Sequence, residues 1–535
     1  MSSQSAKKSH RHHRNALNNP SQSDLGDRVS FKDWIGVMTA SSAAFMAMYA
    51  LTGSAPGVTH IGGILAVPLP QAAWIIYAYV IAQAIAVPIV GSLTKAFSLR
   101  RYFLISACLF VLAAAVCAFA INMPMMLVGR IVQGFAGGGF IAISMMIINS
   151  KLPEAKRSIG LTIHSMSIAL APGFSPAIAG WITYHFSWHY IFYIIIVVGI
   201  LIIAGAFYSL EPEPMQLQSL NKLDWLGLTL FTVGFSCTQY LIQDGTLKNW
   251  FTDELMVYCF VIGLVCGLLF LAVEFSSRQP LFNLHLFKRP NFAMSMLVTL
   301  LFGFGQGESL IIIVFYIIPI FSYNSLEIGE TVALYGLPQA VTTPLVPKLM
   351  ERFDRRLIIS IGLIGFAIGF WMTVTMTHQT AIYQLAPSLI VRGLSVPLIA
   401  APLSSLVTAQ VAKKDSKDAS TLYNVVLFTG MTLGIAFLKE FQTRRSQFHS
   451  NHINEAVSLY SPITRERIDT LTQYFLSQGG SSELARERAI NLISSIINRE
   501  SNVLGFADTY YVVGWVLIVT AGLVFLVRKP GRESK

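Results

Sequence analysis

Charge is what this chain has little of. Only 12% of its 535 residues are Asp, Glu, Lys or Arg, while 54% are hydrophobic; a soluble chain carries about a quarter charged residues. The deficit excludes an ordinary soluble enzyme. Apolar runs of about 20 residues recur along the whole length, each long enough to cross a bilayer. Cysteine is scarce too: Cys108, Cys117, Cys237, Cys259 and Cys266 all fall inside apolar runs, and no two have metal-ligand spacing. They read as small core hydrophobes, with no disulfide framework, redox centre or metal site. There is no phosphate-cradling G-x-x-x-x-G-K-S/T loop and no H-E-x-x-H pair, so ATP drive and zinc hydrolysis are disfavoured. No nucleophile has a base nearby in sequence, and the chain is read as a non-enzyme without a cofactor.

What is present is a polytopic, all-α membrane pattern. Fourteen spans are expected, at 35–55, 73–93, 102–121, 124–147, 158–183, 189–209, 224–243, 254–275, 292–319, 328–347, 357–377, 383–408, 420–439 and 507–527. Positive charge tests that count independently. With both termini on one side, the segments of that side hold 27 Lys and Arg, and the six short loops opposite hold one, Lys248. Such a bias in short loops sets orientation, so both ends are expected in the cytoplasm. Eight more positives lie between Lys439 and Arg499, in or beside one long outer loop, and long translocated segments escape the rule. The tail 1–34 is polar and basic without an apolar core, so it is read as a cytoplasmic segment near an anionic leaflet, not a cleaved signal. Metal binding by its His10, His12 and His13 is the less favoured reading.

Two arginines remain inside spans, Arg130 and Arg392. Arg130 stands early in the fourth span and Arg392 early in the twelfth, which is again the fourth when counting from the ninth. The loops before the third and eleventh spans also correspond, KAFSLRRYFLIS at 95–106 against ERFDRRLIIS at 351–360. Two six-span halves, 35–210 and 291–527, therefore flank a pair of extra spans and a linker at 211–290, and 528–535 forms a second cytoplasmic tail. Duplicated halves around a central site are the plan of many secondary transporters.

Four motifs make the pattern more specific. They are GSLTKAFSLRR at 91–101, GRIVQG at 129–134, APGFSPAIAG at 171–180 and PLFNLHLFKRPNF at 280–292. In order and position they resemble the gating loop, span-4 motif, span-5 antiporter motif and post-insert linker of the major facilitator superfamily (MFS), in its fourteen-span drug:proton antiporter group of the EmrB/QacA type. The resemblance runs from about residue 35 to 527. It implies the MFS fold and export of small amphipathic compounds by alternating access, driven by a proton gradient, from a bacterial inner membrane. It also assigns the gating motif to Gly91, Leu93, Lys95, Arg100 and Arg101, and the antiporter motif to Pro172, Gly173, Pro176 and Gly180. There are departures: Lys95 replaces the usual aspartate, Ser98 the second glycine, and Ser175-Pro176 the usual Gly-Pro. Met48–Thr52 holds no acid where many relatives carry one, so proton coupling does not transfer directly.

Chemistry singles out few residues. A buried arginine is costly unless paired or functional. The resemblance implies a proton-linked conformational role for Arg130, with a helix-end snorkel or intraprotein clamp as the bland alternative; Arg392 is the pseudo-symmetric candidate. Glu308, in GFGQGES, lies near the middle of its span without a charged neighbour within fifteen residues. It suits a proton carrier or counter-charge, or else a protonated acid bonded between helices. The glycines 303, 305 and 307 suit close helix packing, and Pro172 and Pro176 suit a bent helix. Gln133, His164 and Gln306 are possible cavity groups, with Gln83, Asn149 and Tyr79 beside them; Asp244 and Glu274, at span ends, are given no mechanism. Residues 441–505 read as an extracytoplasmic helical hairpin, with helix starts near Thr464 and Ser482 separated by Gly479-Gly480. The resemblance implies that this hairpin meets a periplasmic adaptor and an outer-membrane channel; a stabilising cover is the alternative. A dedicated metabolite or siderophore exporter, and more remotely a non-transporting sensor, are the rival functions. No nucleic-acid partner is expected.

Overall fold

The computed structural model describes residues 29–245, 247–277, 281–307, 323–412, 415–458, 460–479 and 481–528. Glu308, residues 1–28 and residues 529–535 lie outside the described residues. The described chain is helical throughout, without a strand. Eleven of its helices are long and apolar enough to cross a membrane: this is an all-α polytopic membrane protein.

The long helices are α1 (Phe31–Thr52), α2 (Trp74–Ala86), α3 (Leu99–Ala118), α4 (Met123–Gly138), α5 (Glu154–His185), α6 (His189–Ser209), α7 (Trp225–Asp244) and α8 (Glu254–Ser276). They continue with α9 (Pro290–Gly307), α10 (Ser325–Thr342), α11 (Arg355–Trp371), α12 (Ile382–Thr408), α13 (Ser416–Ala456), α14 (Pro462–Ser477) and α15 (Ser482–Leu523). Their starts are locally encoded. Ser30 and Asp33 form a capping box on α1, and Asn324 and Glu327 form one on α10, satisfying orphan amides of the first turn.

Helix breaks fall at places that the span reading did not mark. Pro172 and Pro176 are accommodated within the unbroken α5. The breaks come instead at the Pro88 turn Val87–Ile89, where α2 passes into Val90–Phe97, and at Gly139, where α4 passes into Phe140–Lys151. A third, Thr343–Leu345 around Pro344, follows α10 and leads into Val346–Arg352.

Helices of the two halves pack in matching pairs. In the first, α1 lies against α5 and α6, α2 against α4, and α3 against α4 and α6. In the second, α9 lies against α13 and α15, α10 against α12, and α11 against α12 and α15. The second half repeats the pairing of the first. The halves meet broadly along α5 and α10 and only slightly along α2 and α13, and α7, packed on α8, touches both α2 and α13.

Loops stitch one end, the motif end. Gln216 N donates to Ala96 O (2.9 Å), Arg289 to Gln410 O (3.2 Å), and Arg528 N to Asn291 Oδ1 (2.8 Å). Glu274 works here as well: its two carboxylate oxygens accept from Leu281 N (3.0 Å) and Phe282 N (3.2 Å), fastening the linker after α8. At the opposite end the chain projects. The 41 residues of α13 and 42 of α15 rise about 62 Å each, roughly twice the hydrocarbon thickness. The insert is thus continuous with α13 and α15, and its α14 packs against α15. Its helix starts also differ: Ser461 precedes α14, and Ser481 Oγ accepts from Leu484 N (3.4 Å).

Candidate transport site

Arg130 is wholly buried. Its Nε donates to Ile75 O on α2 (2.7 Å), one terminal nitrogen to Gln133 Oε1 (2.6 Å), and the other to Ala50 O (2.9 Å) and Ser54 Oγ (3.3 Å) at the end of α1. The guanidinium also lies over the Tyr79 ring, 4.5 Å from its centroid, and Tyr79 OH donates to Ala47 O (2.8 Å). One planar fork therefore ties α1, α2 and α4 together through neutral acceptors. Among the described residues no carboxylate pairs with it. That is the geometry of an intraprotein clamp, and a snorkelling side chain is excluded by its burial.

The residues next to those acceptors form a wall. Leu51, Thr52 and Ala55 of the first segment and Ile76 and Val80 of α2 face Val332, Phe428 and Met431 across a cavity of about 30 Å³. Arg130 stands one layer behind this seam and does not border it. Arg392 is equally buried but turned elsewhere: it donates to Ser388 Oγ (3.2 Å) and lies over Phe370 (4.7 Å) and Tyr510 (5.7 Å). Its partners come from α11, α12 and α15, where those of Arg130 come from the first, second and fourth helices.

The antiporter-motif run is where the halves touch. A Cβ on Gly173 would strike the backbone of Gly336 and Leu337; one on Gly180 would strike Ser325 O; one on Gly329 would strike Pro176 O. Gly173 and Gly180 are seven residues apart, and so are Gly329 and Gly336. Antiparallel helices with that matched spacing meet backbone to backbone, as small residues permit in membranes. The same packing recurs within the second half, where Gly303 and Gly307 press on the Leu427 and Met431 carbonyls.

The gating segment borders a cleft of about 550 Å³ shared with the linker residues Glu213, Pro214 and Gln216. Gly91 is buried, Lys95 exposed and Leu93 half-buried. Ser98, standing where the motif has glycine, has φ 71° and ψ 155°, a region essentially reserved for glycine. Arg100 donates to Phe207 O (3.1 Å) and covers its ring at 4.9 Å. His164 is buried with neither ring nitrogen bonded. Gln133 keeps its amide nitrogen unbonded, Gln83 its carbonyl oxygen, and Gln306 is half-buried. Asn149 is exposed and lends only its carbonyl, to Arg157 (3.2 Å). The reading of side chains missed Ser54 and the α10 glycines, and gave no mechanism to Asp244, which accepts from Trp74 Nε1 (3.0 Å). The equal glycine spacing was a signal available for the second.

Residues 40–434 match the family model of the Major Facilitator Superfamily. The chain belongs to this superfamily. Curated relatives extend the match: the colistin resistance protein EmrB of Acinetobacter baumannii is 27% identical, covering 90% of this chain and 94% of that protein. The multidrug export protein EmrB of Escherichia coli is 23% identical over 93% and 95%. Among solved structures, a peptide transporter POT in complex with sulfate aligns at TM-score 0.61 and 14% identity over 92% of this chain and 96% of its own. That last likeness carries the MFS fold alone.

Proposed function

We propose that this MFS protein is a proton-driven exporter of small amphipathic compounds that works by alternating access. The observation that carries the reading is the backbone contact of the antiporter motif with α10, because it puts the motif on the seam between halves. A seam of small residues lets rigid bundles rock around a fixed site. Kinship to EmrB proteins supports export, and the loop charge bias supports fourteen spans in an inner membrane with both termini cytoplasmic. The projecting helices α13 to α15 then stand in the periplasm and meet an adaptor that leads to an outer-membrane channel. Arg130 serves as a switch element, holding the α1 and α2 backbone in one arrangement. Glu308 carries the proton.

The test is reconstitution of the purified protein in liposomes with an imposed pH gradient and a panel of dyes, uncouplers and siderophores. Gradient-dependent efflux of several unrelated amphiphiles is expected, and Glu308→Gln is expected to abolish it while leaving downhill exchange. Efflux of a single metabolite only would favour a dedicated exporter. Undiminished gradient-driven efflux by Glu308→Gln would remove the proton role from Glu308.

A further inference from the structure

A groove of about 620 Å³ lies between α2, α4 and α7, at the end of the bundle opposite the gating segment. None of α1, α5, α10 and α13 borders it, so it lies on one side of the seam between the halves, with α2 between them. Its walls are apolar: Ala78, Ile81 and Ile85 from α2, and Leu127 and Ile131 from α4. Ile131 is about half exposed, which in a membrane-spanning helix means toward lipid. One end of the groove is different. There Trp74, Tyr240 and Asp244 converge, the indole N–H donating to Asp244 Oδ1 at 3.0 Å and the two rings standing 5.4 Å apart.

The charges around this corner are unequally satisfied. Lys248 is engaged: its Nζ donates to Tyr240 OH at 2.9 Å and lies 3.5 Å from Asp253. Lys439 of α13 is within electrostatic reach of Asp244 but makes no ion pair with it and does not border the groove. Lys248 is also within electrostatic reach of Asp244, which is the one carboxylate bordering the groove among the described residues. A carboxylate beside a tryptophan and a tyrosine offers an organic cation both a counter-charge and ring contacts. Apolar walls and a volume within the usual range of small-molecule sites add a preference for a hydrophobic body.

We propose that this groove is a second binding site, entered from the bilayer, for an amphipathic organic cation whose charge is met by Asp244. The site rests on the export reading for its purpose, since it would hold a substrate beside the α2–α13 seam. It also gives the first of the two extra spans a task. α7 supplies both Tyr240 and Asp244 and touches both halves.

Tetraphenylphosphonium and tetraphenylborate have the same shape and opposite charge, so they separate charge recognition from lipophilicity. Equilibrium binding of each to the full chain in lipid nanodiscs is the measurement, on the unaltered protein, Asp244→Asn and Ala78→Phe, which narrows the groove while leaving the carboxylate. The expected result is a saturable component of tetraphenylphosphonium binding that weakens about tenfold in Asp244→Asn, the loss of one charge-assisted contact, and disappears in Ala78→Phe. Tetraphenylborate should be indifferent to Asp244→Asn. If Asp244→Asn does not fold, Ala78→Phe and the comparison of the two ions on the unaltered protein decide. Equal binding of the two ions, or cation binding unchanged in either folded variant, overturns the site. Gradient-driven efflux from liposomes separates the two proposals. Efflux without the Asp244 component leaves export standing and removes the groove; the component without efflux of any compound does the reverse.

Discussion

Arg130 shows how far single residues could be read. Its anomaly was visible as one charge in an apolar, glycine-rich run, and its burial follows from that setting. Its acceptors were not visible, because two of them are the carbonyls of Ala50 and Ile75, and every residue has a carbonyl. The clamp depends on a planar fork that reaches three helices at once, which an ammonium cannot reproduce. Arg130→Lys should therefore keep the buried charge and still lower gradient-driven efflux about tenfold or more, since one charge-assisted hydrogen bond is worth roughly 1.5–3 kcal/mol. Parallel thermal unfolding in detergent would show whether the loss is conformational or a failure to fold; a variant with undiminished efflux would remove the clamp from the transport cycle. Ser98 makes the opposite case. Its departure from the motif's glycine was legible, but the strain was not, since φ 71° is a property of the fold. Ser98→Gly should raise stability by about 1–3 kcal/mol, the cost of holding a side chain in that region, seen as a higher unfolding midpoint.

At the level of elements, helices were legible where hydropathy alone decides and less so where packing does. Eleven helices long and apolar enough to cross a membrane stand among the described residues, and they were legible because a bilayer demands about 20 apolar residues in a row. Breaks were not legible, because proline within a span is tolerated when neighbours reorganise around it: Pro172 and Pro176 stay inside α5, whereas Pro88 and Pro344 coincide with 3₁₀ turns. The seam between α5 and α10 has a sharper consequence. Gly336 meets Gly173 backbone to backbone, so a branched side chain has no room there. Gly336→Val should part the halves along this line and lower gradient-driven efflux at least about tenfold, because well-packed contacts do not deform continuously. Gly522, where a Cβ meets nothing within 4 Å, is the control: Gly522→Val should transport normally. Equal loss in both would assign the effect to valine in a membrane helix and not to the seam.

For the whole molecule, the duplicated plan was readable from two arginines and two basic loops, and it reappears as matching helix pairs. The length of the projection was not readable. Polar sequence from about 441 onward signals departure from the membrane, yet nothing in it announces that α13 and α15 run on without a break. Long-range contacts hold them there: Arg445 and His449 both reach Asp508 Oδ2 (2.6 and 2.7 Å), and His378, in the loop before α12, reaches Glu500 (2.8 Å). The base of the projection is thus tied to the bundle, while its far part exposes apolar side chains. Tyr460 is 86% exposed and Ile463 79%, a bare pair well away from those ties. If an adaptor docks on the projection, replacing both by serine should cut export in intact cells about tenfold or more, since apolar anchors carry most of such an interface. The same variant should pump normally in liposomes, where no adaptor is present. Loss in both settings would instead make the projection a brace for the transport bundle, acting through the contacts at its base.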